Sequence, residues 1–452
     1  NGATSNFYLR NDAQLLQGTT VASANKGLGS LSVFQEGTTN NFQYNYWCSP
    51  VGGSSATTGN SSFGITQLKD VLDLTNSNAA TILPSNNYNG TASPLAIAPY
   101  WIWKLPASSN TNWVYVGSGS TINAGEGFTM KGTSGTNLLT VNGVQNNPGS
   151  KQRYDFRGKP NDGTIAIPVT VGELSFTGNP YPSAIDLSAF LTNATNSTGI
   201  AYFWEQDKTV NSHYIADFKG GYGAYSPLGG AGNGVYTPAT FYSYDGSGNE
   251  VVATGTGGTY ERRFSPIGQG FLIEGTVTGV VDMKNDYRVF VKEGVANLSQ
   301  FEKSTNSLKG SASSSNLATI QSVSGFDYTT VNTTPVPQIR FNTLLNGEGV
   351  RQIVLALVPG ATDGIDMAMD ALSTSDNDVA DMYFVMDDKE FVIDAIQFDI
   401  DKKIPLGFKN TDEANYKISV KEIINFTEAE NVYLHDKTKD TYFDIKNSFY
   451  EM

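Results

Sequence analysis

Apolar and polar positions alternate in short runs along most of the chain, and nearly every run is closed by Gly, Asn, Ser or Pro. Leu31, Val33 and Gln35 fall on one side of such a run and Ser32 and Phe34 on the other, the period-two pattern of a strand with one buried face. The same reading predicts strands over 28–35, 42–47, 100–105, 113–117, 127–131, 138–141, 164–171 and 173–177. Further on it predicts them over 338–344, 351–358, 382–385, 390–393, 396–400, 416–420, 431–435 and 441–445. Helical spacing is confined to 66–74 and 185–191, the second with Ser183 or Asp186 as N-cap. The expected fold class is all-β: antiparallel β-sandwich-like domains with a few short helices.

Composition sharpens this picture. The 47 glycines, 23 tyrosines and 24 phenylalanines suit pleated sheets joined by many turns, and 452 residues exceed one ordinary core. Charge marks a boundary, because residues 310–452 hold 23 Asp/Glu against 11 Lys/Arg and so carry nearly all of the net −14. The expected domains are an aromatic, Gly-rich β domain over 1–302, divisible into lobes of about 1–150 and 151–302, and an acidic β-sandwich domain over 338–452. The Ser/Thr-rich stretch 303–337 between them reads as a linker. An acidic chain without a basic stripe offers phosphate backbones no electrostatic footprint, so no nucleic-acid partner is expected. Membrane insertion is not expected either, since no apolar run approaches the roughly 18 residues a span needs. The start, Asn1-Gly2-Ala3-Thr4-Ser5, reads as that of a mature or trimmed product. Cys48 is the one cysteine and is expected to be a small buried hydrophobe.

Candidate chemistry is sparse. The sequence has no Gly-rich phosphate loop, no His-Glu-x-x-His and no Gly-x-Ser-x-Gly elbow. His213 and His435 are its two histidines, and both sit in turn-like or surface contexts. A carboxylate pair of the glycosidase kind needs no histidine, and Glu205, Asp186 and Asp217 are the acids to nominate. Asp363, Asp366, Asp370, Asp376 and Asp378, with Asp381 nearby, read first as a solvated acidic loop and second as oxygen ligands for Ca²⁺. Trp101, Trp103, Trp113, Trp204, Tyr222 and Tyr225 supply either a stacking platform for sugar rings, with Trp103 and Trp204 as the stacking residues, or ordinary core packing.

The most specific stretch is Gly178-Asn179-Pro180-Tyr181-Pro182-Ser183-Ala184-Ile185-Asp186, whose two prolines force an abrupt exit from a strand. It belongs to a co-linear series with Tyr44 to Gly52, Gly125 to Phe128, Phe156 to Gly163, Ile200 to Glu205 and Ile267 to Phe271. That series resembles large surface proteins of Bacteroidota exported by type IX secretion. The C-terminal part is similar to the module that precedes the sorting signal in such proteins, through Arg351-Gln352, Gly360 to Asp366, Ile404 to Gly407 and Val432 to Lys437. Cys48 stands where a serine is usual, and the chain stops at Tyr450-Glu451-Met452 where the family continues, which fits cleavage or truncation. The resemblance implies an outer-surface or secreted location and no catalytic residue. The resulting expectation is a non-enzymatic structural or adhesive protein that self-associates into an oligomer, filament or sheath. Sheet edges would pair between copies, with Phe7 to Arg10 as a candidate donor strand. The alternative is a carbohydrate-binding or polysaccharide-processing accessory protein with surface glycans as partners.

Overall fold

The computed structural model describes residues 5–107, 112–293, 298–301, 317, 320–377, 379–428 and 430–452. The chain is all-β, with helix confined to short pieces such as the six-residue Leu187–Thr192. Asp186 caps that helix by accepting from Ala189 N at 3.0 Å. None of the helices among the described residues is long and apolar enough to cross a membrane.

Two compact units emerge. One gathers the described residues of Asn1–Ser197, Glu261–Lys303 and Leu308–Val331; the other takes Thr198–Tyr260 together with Asn332–Met452. The expected partition is thereby corrected, since 198–260, assigned on sequence to the N-terminal domain, folds with the acidic region. The linker expectation changes too. Within 303–337, residues 303–316, 318 and 319 lie outside the described residues, whereas Leu317 and Tyr328 are buried and Gln321–Ser322 pairs with Arg288–Phe290. Its Ser/Thr richness hid these apolar anchors.

In the first unit a five-stranded sheet runs in the order Asn6–Leu9, Ser30–Glu36, Arg153–Gly158, Leu68–Val71, Ser77–Ala79. Leu31, Val33 and Gln35 face inward as their alternation requires. They meet a core centred on Trp47, which is fully buried with its ring 4.7 Å from Phe301, 5.5 Å from Phe156 and 5.7 Å from Tyr154. Asn6–Leu9 pairs in parallel with Ser30–Val33 of its own chain, so the candidate donor strand is occupied intramolecularly. The helix expected over 66–74 is instead a 3-10 turn, Ile65–Gln67, followed by the strand Leu68–Val71. The strand Leu174–Gly178 ends where the backbone passes very close to its neighbours: a Cβ on Gly178 would lie 2.4 Å from Gln269 O and 2.6 Å from Cys48 Cβ. Gly178→Ala is therefore expected to lower stability by about 1–2 kcal/mol, read as a lower midpoint in chemical denaturation.

In the second unit the strands Leu406–Lys409, Asp381–Met386, Lys389–Ile396, Gly349–Leu357, Gln338–Leu345, Tyr416–Ile424 and Tyr450–Glu451 form one sheet in that order. The strands expected over 390–393 and 396–400 are a single strand that stops at Ile396, and Ile400 beyond it is exposed. Ala201–Gln206, Lys219–Ser226, Thr240–Tyr244 and Glu250–Thr256 pair in sequence order, and the last two lie against Gly349–Leu357 in sandwich fashion. Arg351 crosses the buried interior there and holds Asp381 with both ends of its fork, at 2.5 and 2.8 Å.

Candidate functional site

The proline motif and its co-linear partners converge on one buried junction of the first unit. Asn179 follows Gly178 and donates its amide to Ser183 O (2.7 Å), Pro266 O (3.0 Å) and Ser265 O (3.1 Å), while its oxygen accepts from Tyr181 N (3.0 Å). Tyr181 places its hydroxyl within hydrogen-bond distance of two carbonyls, Gly163 O (2.5 Å) and Met283 O (2.8 Å), which share its one proton. Asn161 donates to Ser49 O and Pro180 O, and Lys159 to Gly27 O and Gly29 O. At the centre lies Arg288, fully buried and 4.8 Å from the centroid of the Tyr181 ring. It donates to Leu15 O, to Asn285 Oδ1 (3.1 Å), to Ser183 Oγ (3.2 Å) and to Asp162 Oδ1 (3.4 Å). Burial lowers its pKa to about 10, against the opposing pull of Tyr181 and Asp162. The Asp162 carboxylate also accepts from Ala24 N (2.9 Å) and Asn285 Nδ2 (2.7 Å). Motif spacing marks these residues, but only the folded chain shows that their polar atoms are spent on fastening distant loops.

Cys48 closes the strand Tyr44–Cys48 beside this junction, wholly buried, and burial pushes its thiol well above the ordinary range, with Glu126 adding to the effect. A thiolate is the reactive form, so Cys48 is expected to resist maleimide labelling in the native protein and to react on denaturation. The nominated acids also have structural partners. Glu205 is buried and accepts from Tyr236 Oη (2.6 Å), Gly258 N (2.7 Å) and Ala239 N (3.1 Å). Asp186 accepts from Tyr328 Oη (2.8 Å) and Arg263 (3.2 Å) besides capping its helix, and exposed Asp217 accepts from Ser212 Oγ (2.6 Å). His435 stacks on Tyr442 with ring centroids 4.2 Å apart and faces Asp440 at 3.0 Å.

The acidic stretch is arranged as turns. Asp363 pairs with Lys402; Asp366 accepts from Thr362 N (2.6 Å) and Thr362 Oγ1 (3.0 Å). Asp370 accepts from Asp366 N (2.6 Å) and Ala395 N (2.7 Å), and burial pushes its pKa up to about 7. Asp376 and Glu250 exchange backbone-to-carboxylate hydrogen bonds at 2.8 and 2.9 Å, and burial raises Glu250 to about 7. Asp378 lies outside the described residues. Among the described residues no group of three or more His, Cys, Asp or Glu is placed to hold a metal, and the described carboxylates of the nominated Ca²⁺ set serve turn N–H groups and a lysine. Sequence reading missed Asp394, which is buried with Oδ1 lacking a partner and is pushed up to about 6 by burial.

The aromatic residues separate. Trp204 is 9 % exposed, packs edge-on to Tyr222 at 5.2 Å and donates Nε1 to Gln206 at 3.3 Å, so it is a packing residue and the stacking role assigned to it is corrected. Tyr225 is likewise buried. Trp103 keeps half-buried status, sits 5.1 Å from the Tyr115 ring and donates Nε1 to Tyr100 O at 2.8 Å. Tyr100 in turn pairs with Tyr88 at 4.8 Å over Trp101, and Lys131 Nζ lies 3.7 Å from the Trp101 ring, with burial lowering its pKa to about 7. Tyr88, Tyr100, Trp113 and Tyr115 are all exposed, which leaves an aromatic patch on the first unit that includes Trp103 and three tyrosines absent from the sequence-based set.

A family model described as a domain of unknown function (DUF8693) matches residues 2–452. The chain belongs to that family. No curated protein and no solved structure matches it. The DUF8693 match runs through both the motif-bearing and the acidic regions, so the buried junction and the acidic turns belong to one family unit.

Proposed function

We propose that the protein is a non-enzymatic structural or adhesive component of the outer bacterial surface that acts through self-association. The observation that carries this reading is the junction around Arg288: the residues of the most specific motifs are buried and bonded to backbone carbonyls, which makes them fasteners of a rigid β scaffold. The likeness of the same motifs to type IX-exported surface proteins supports the location. Negative-stain microscopy and sedimentation of the purified chain test self-association, and protease shaving of intact producing cells tests exposure. Ordered multimers and surface cleavage are expected; a monomer at high concentration together with a protease-protected cellular pool would overturn the reading.

A second reading, glycan-directed adhesion, is favoured by the exposed rings of Tyr88, Tyr100 and Tyr115 beside the half-buried Trp103, since aromatic faces with polar rims suit sugar rings. Trp103→Ala is expected to abolish glycan-array signals without lowering the melting temperature by more than a few degrees; unchanged signals would remove the patch as the site.

A further inference from the structure

The first unit contains a cavity of about 110 Å³ where the edge of its five-stranded sheet is left open. Asn6–Leu9 pairs only with Ser30–Val33, so Phe34, Gln35 and Glu36 run on without a strand neighbour on that side. The chain leaves the edge through Asn11 and Asp12, which both adopt left-handed backbone (φ 55° and 56°), as does Asn142 (φ 57°) on the opposite rim. Asn and Asp tolerate that conformation better than other L-residues, and Asn142 with Gly143 forms the tight turn between Asn137–Val141 and Val144–Asn147. Asn142 Nδ2 donates to Asn11 Oδ1 and ties the two rims together.

The lining is chemically balanced. Arg153 is 5 % exposed; its Nε donates to Glu36 Oε1 at 2.6 Å and its Nη1 to Val141 O at 2.9 Å. Side by side, this guanidinium and carboxylate present a donor edge and an acceptor edge in neighbouring positions, which one vicinal diol satisfies by accepting with one hydroxyl and donating with the other. Gln35, on the other face of the strand, is 4 % exposed and donates Nε2 to Glu293 at 2.5 Å. Arg10 lies flat on Phe34, 3.5 Å from the ring centroid. A free anion would meet Glu36 and Glu293, and a free cation Arg10 and Arg153, so the cavity selects for a neutral group rich in hydroxyls. Its volume is several times what a water needs and below that of whole drug-sized ligands, which matches one ring of a saccharide with the remainder outside.

We propose that this cavity is a binding subsite for a single neutral sugar residue of a glycan. The proposal rests on the glycan-directed reading but places recognition at the open sheet edge, away from the Trp103 patch. Saturation-transfer NMR on the whole chain with the methyl glycosides of glucose, galactose, mannose and N-acetylglucosamine tests it. At least one glycoside is expected to show transfer. Val144→Phe, at a 40 % exposed lining position, fills the cavity without touching its polar groups and is expected to cut affinity at least tenfold with an unchanged melting temperature. Glu36→Gln, which removes the charge partner of Arg153, is expected to cut affinity likewise but with a lower melting temperature, while Trp103→Ala, read with these single glycosides and not with arrayed glycans, leaves the signal intact. Absence of transfer for all four glycosides, or transfer that survives Val144→Phe, overturns the subsite. Transfer lost in Trp103→Ala and kept in Val144→Phe also overturns it while sustaining the aromatic-patch reading.

Discussion

Arg288→Met is expected to destabilise the first unit by about 3–5 kcal/mol, the range for stripping one partner from a buried charge network. The guanidinium holds Leu15 O, Ser183 Oγ, Asn285 Oδ1 and Asp162 Oδ1 at once, and its long side chain has no exposed surface. Met fills much of the volume, so the loss comes from polar groups left behind, above all the Asp162 carboxylate, which is itself fully buried. Guanidinium denaturation followed by tryptophan fluorescence, to which Trp47 and three of the other four tryptophans contribute from the same unit, measures the change. A double-mutant cycle with Asp162→Asn separates the pair from the other acceptors. Because the pair is long at 3.4 Å and burial still depresses the arginine, the coupling is expected to be smaller than the single-mutant cost, with the carbonyl and amide acceptors supplying the rest. A loss of less than about 1 kcal/mol for Arg288→Met would show that the junction is not what fastens these loops.

The strands of this protein were legible where a single periodicity governed a run bounded by turn residues. Gly127–Lys131 matches its expected limits, and Gln338–Leu345 extends the expected run by one residue. The helix expected over 66–74 failed because Ile65, Leu68 and Val71 have helical spacing but only a short window, and pairing of Lys69 with both Asp155 and Ala79 decided the outcome. Domain boundaries read from charge failed for a related reason. Residues 198–260 carry five Asp/Glu against two Lys/Arg, an acidic balance masked when charge is summed over 1–309, and they pack face to face on the acidic region's sheet without joining it, a non-local choice that local pattern does not encode. The candidate site was half legible. Trp103 and Trp204 look alike in sequence, and only packing distinguishes the half-buried ring from the buried one set against Tyr222. The cavity at the open edge depends on where Asn6–Leu9 stops pairing, and no residue pattern announces that. A pair of adjacent Asn-Asp residues at 11 and 12 was the one available signal, through its tolerance of left-handed backbone.

Asp394→Asn is expected to stabilise the second unit by about 3 kcal/mol at pH 8 and by almost nothing at pH 4. The carboxyl is 3 % exposed, its Oδ1 has no hydrogen-bond partner, and burial raises its pKa from 3.8 to about 6, with Asp363 and Asp366 adding to the rise and Lys402 opposing it. A shift of about two units corresponds to roughly 3 kcal/mol between the two protonation states. The sign follows from linkage: a carboxyl whose folded pKa lies above its unfolded value favours the fold fully below pH 3.8 and loses that contribution as pH climbs through 6. Above that pH the wild-type protein carries a buried charge with one carboxylate oxygen unbonded, a charge the amide never has. Asp370 is raised further, to about 7, in part by Asp394, so the variant also relieves its neighbour at neutral pH. Thermal melts of both proteins between pH 4 and pH 8 measure the difference. A gap that widens toward neutrality fits a desolvated carboxyl; a gap independent of pH, or a variant less stable at pH 8, would mean that Asp394 is held by a partner favouring its ionised form.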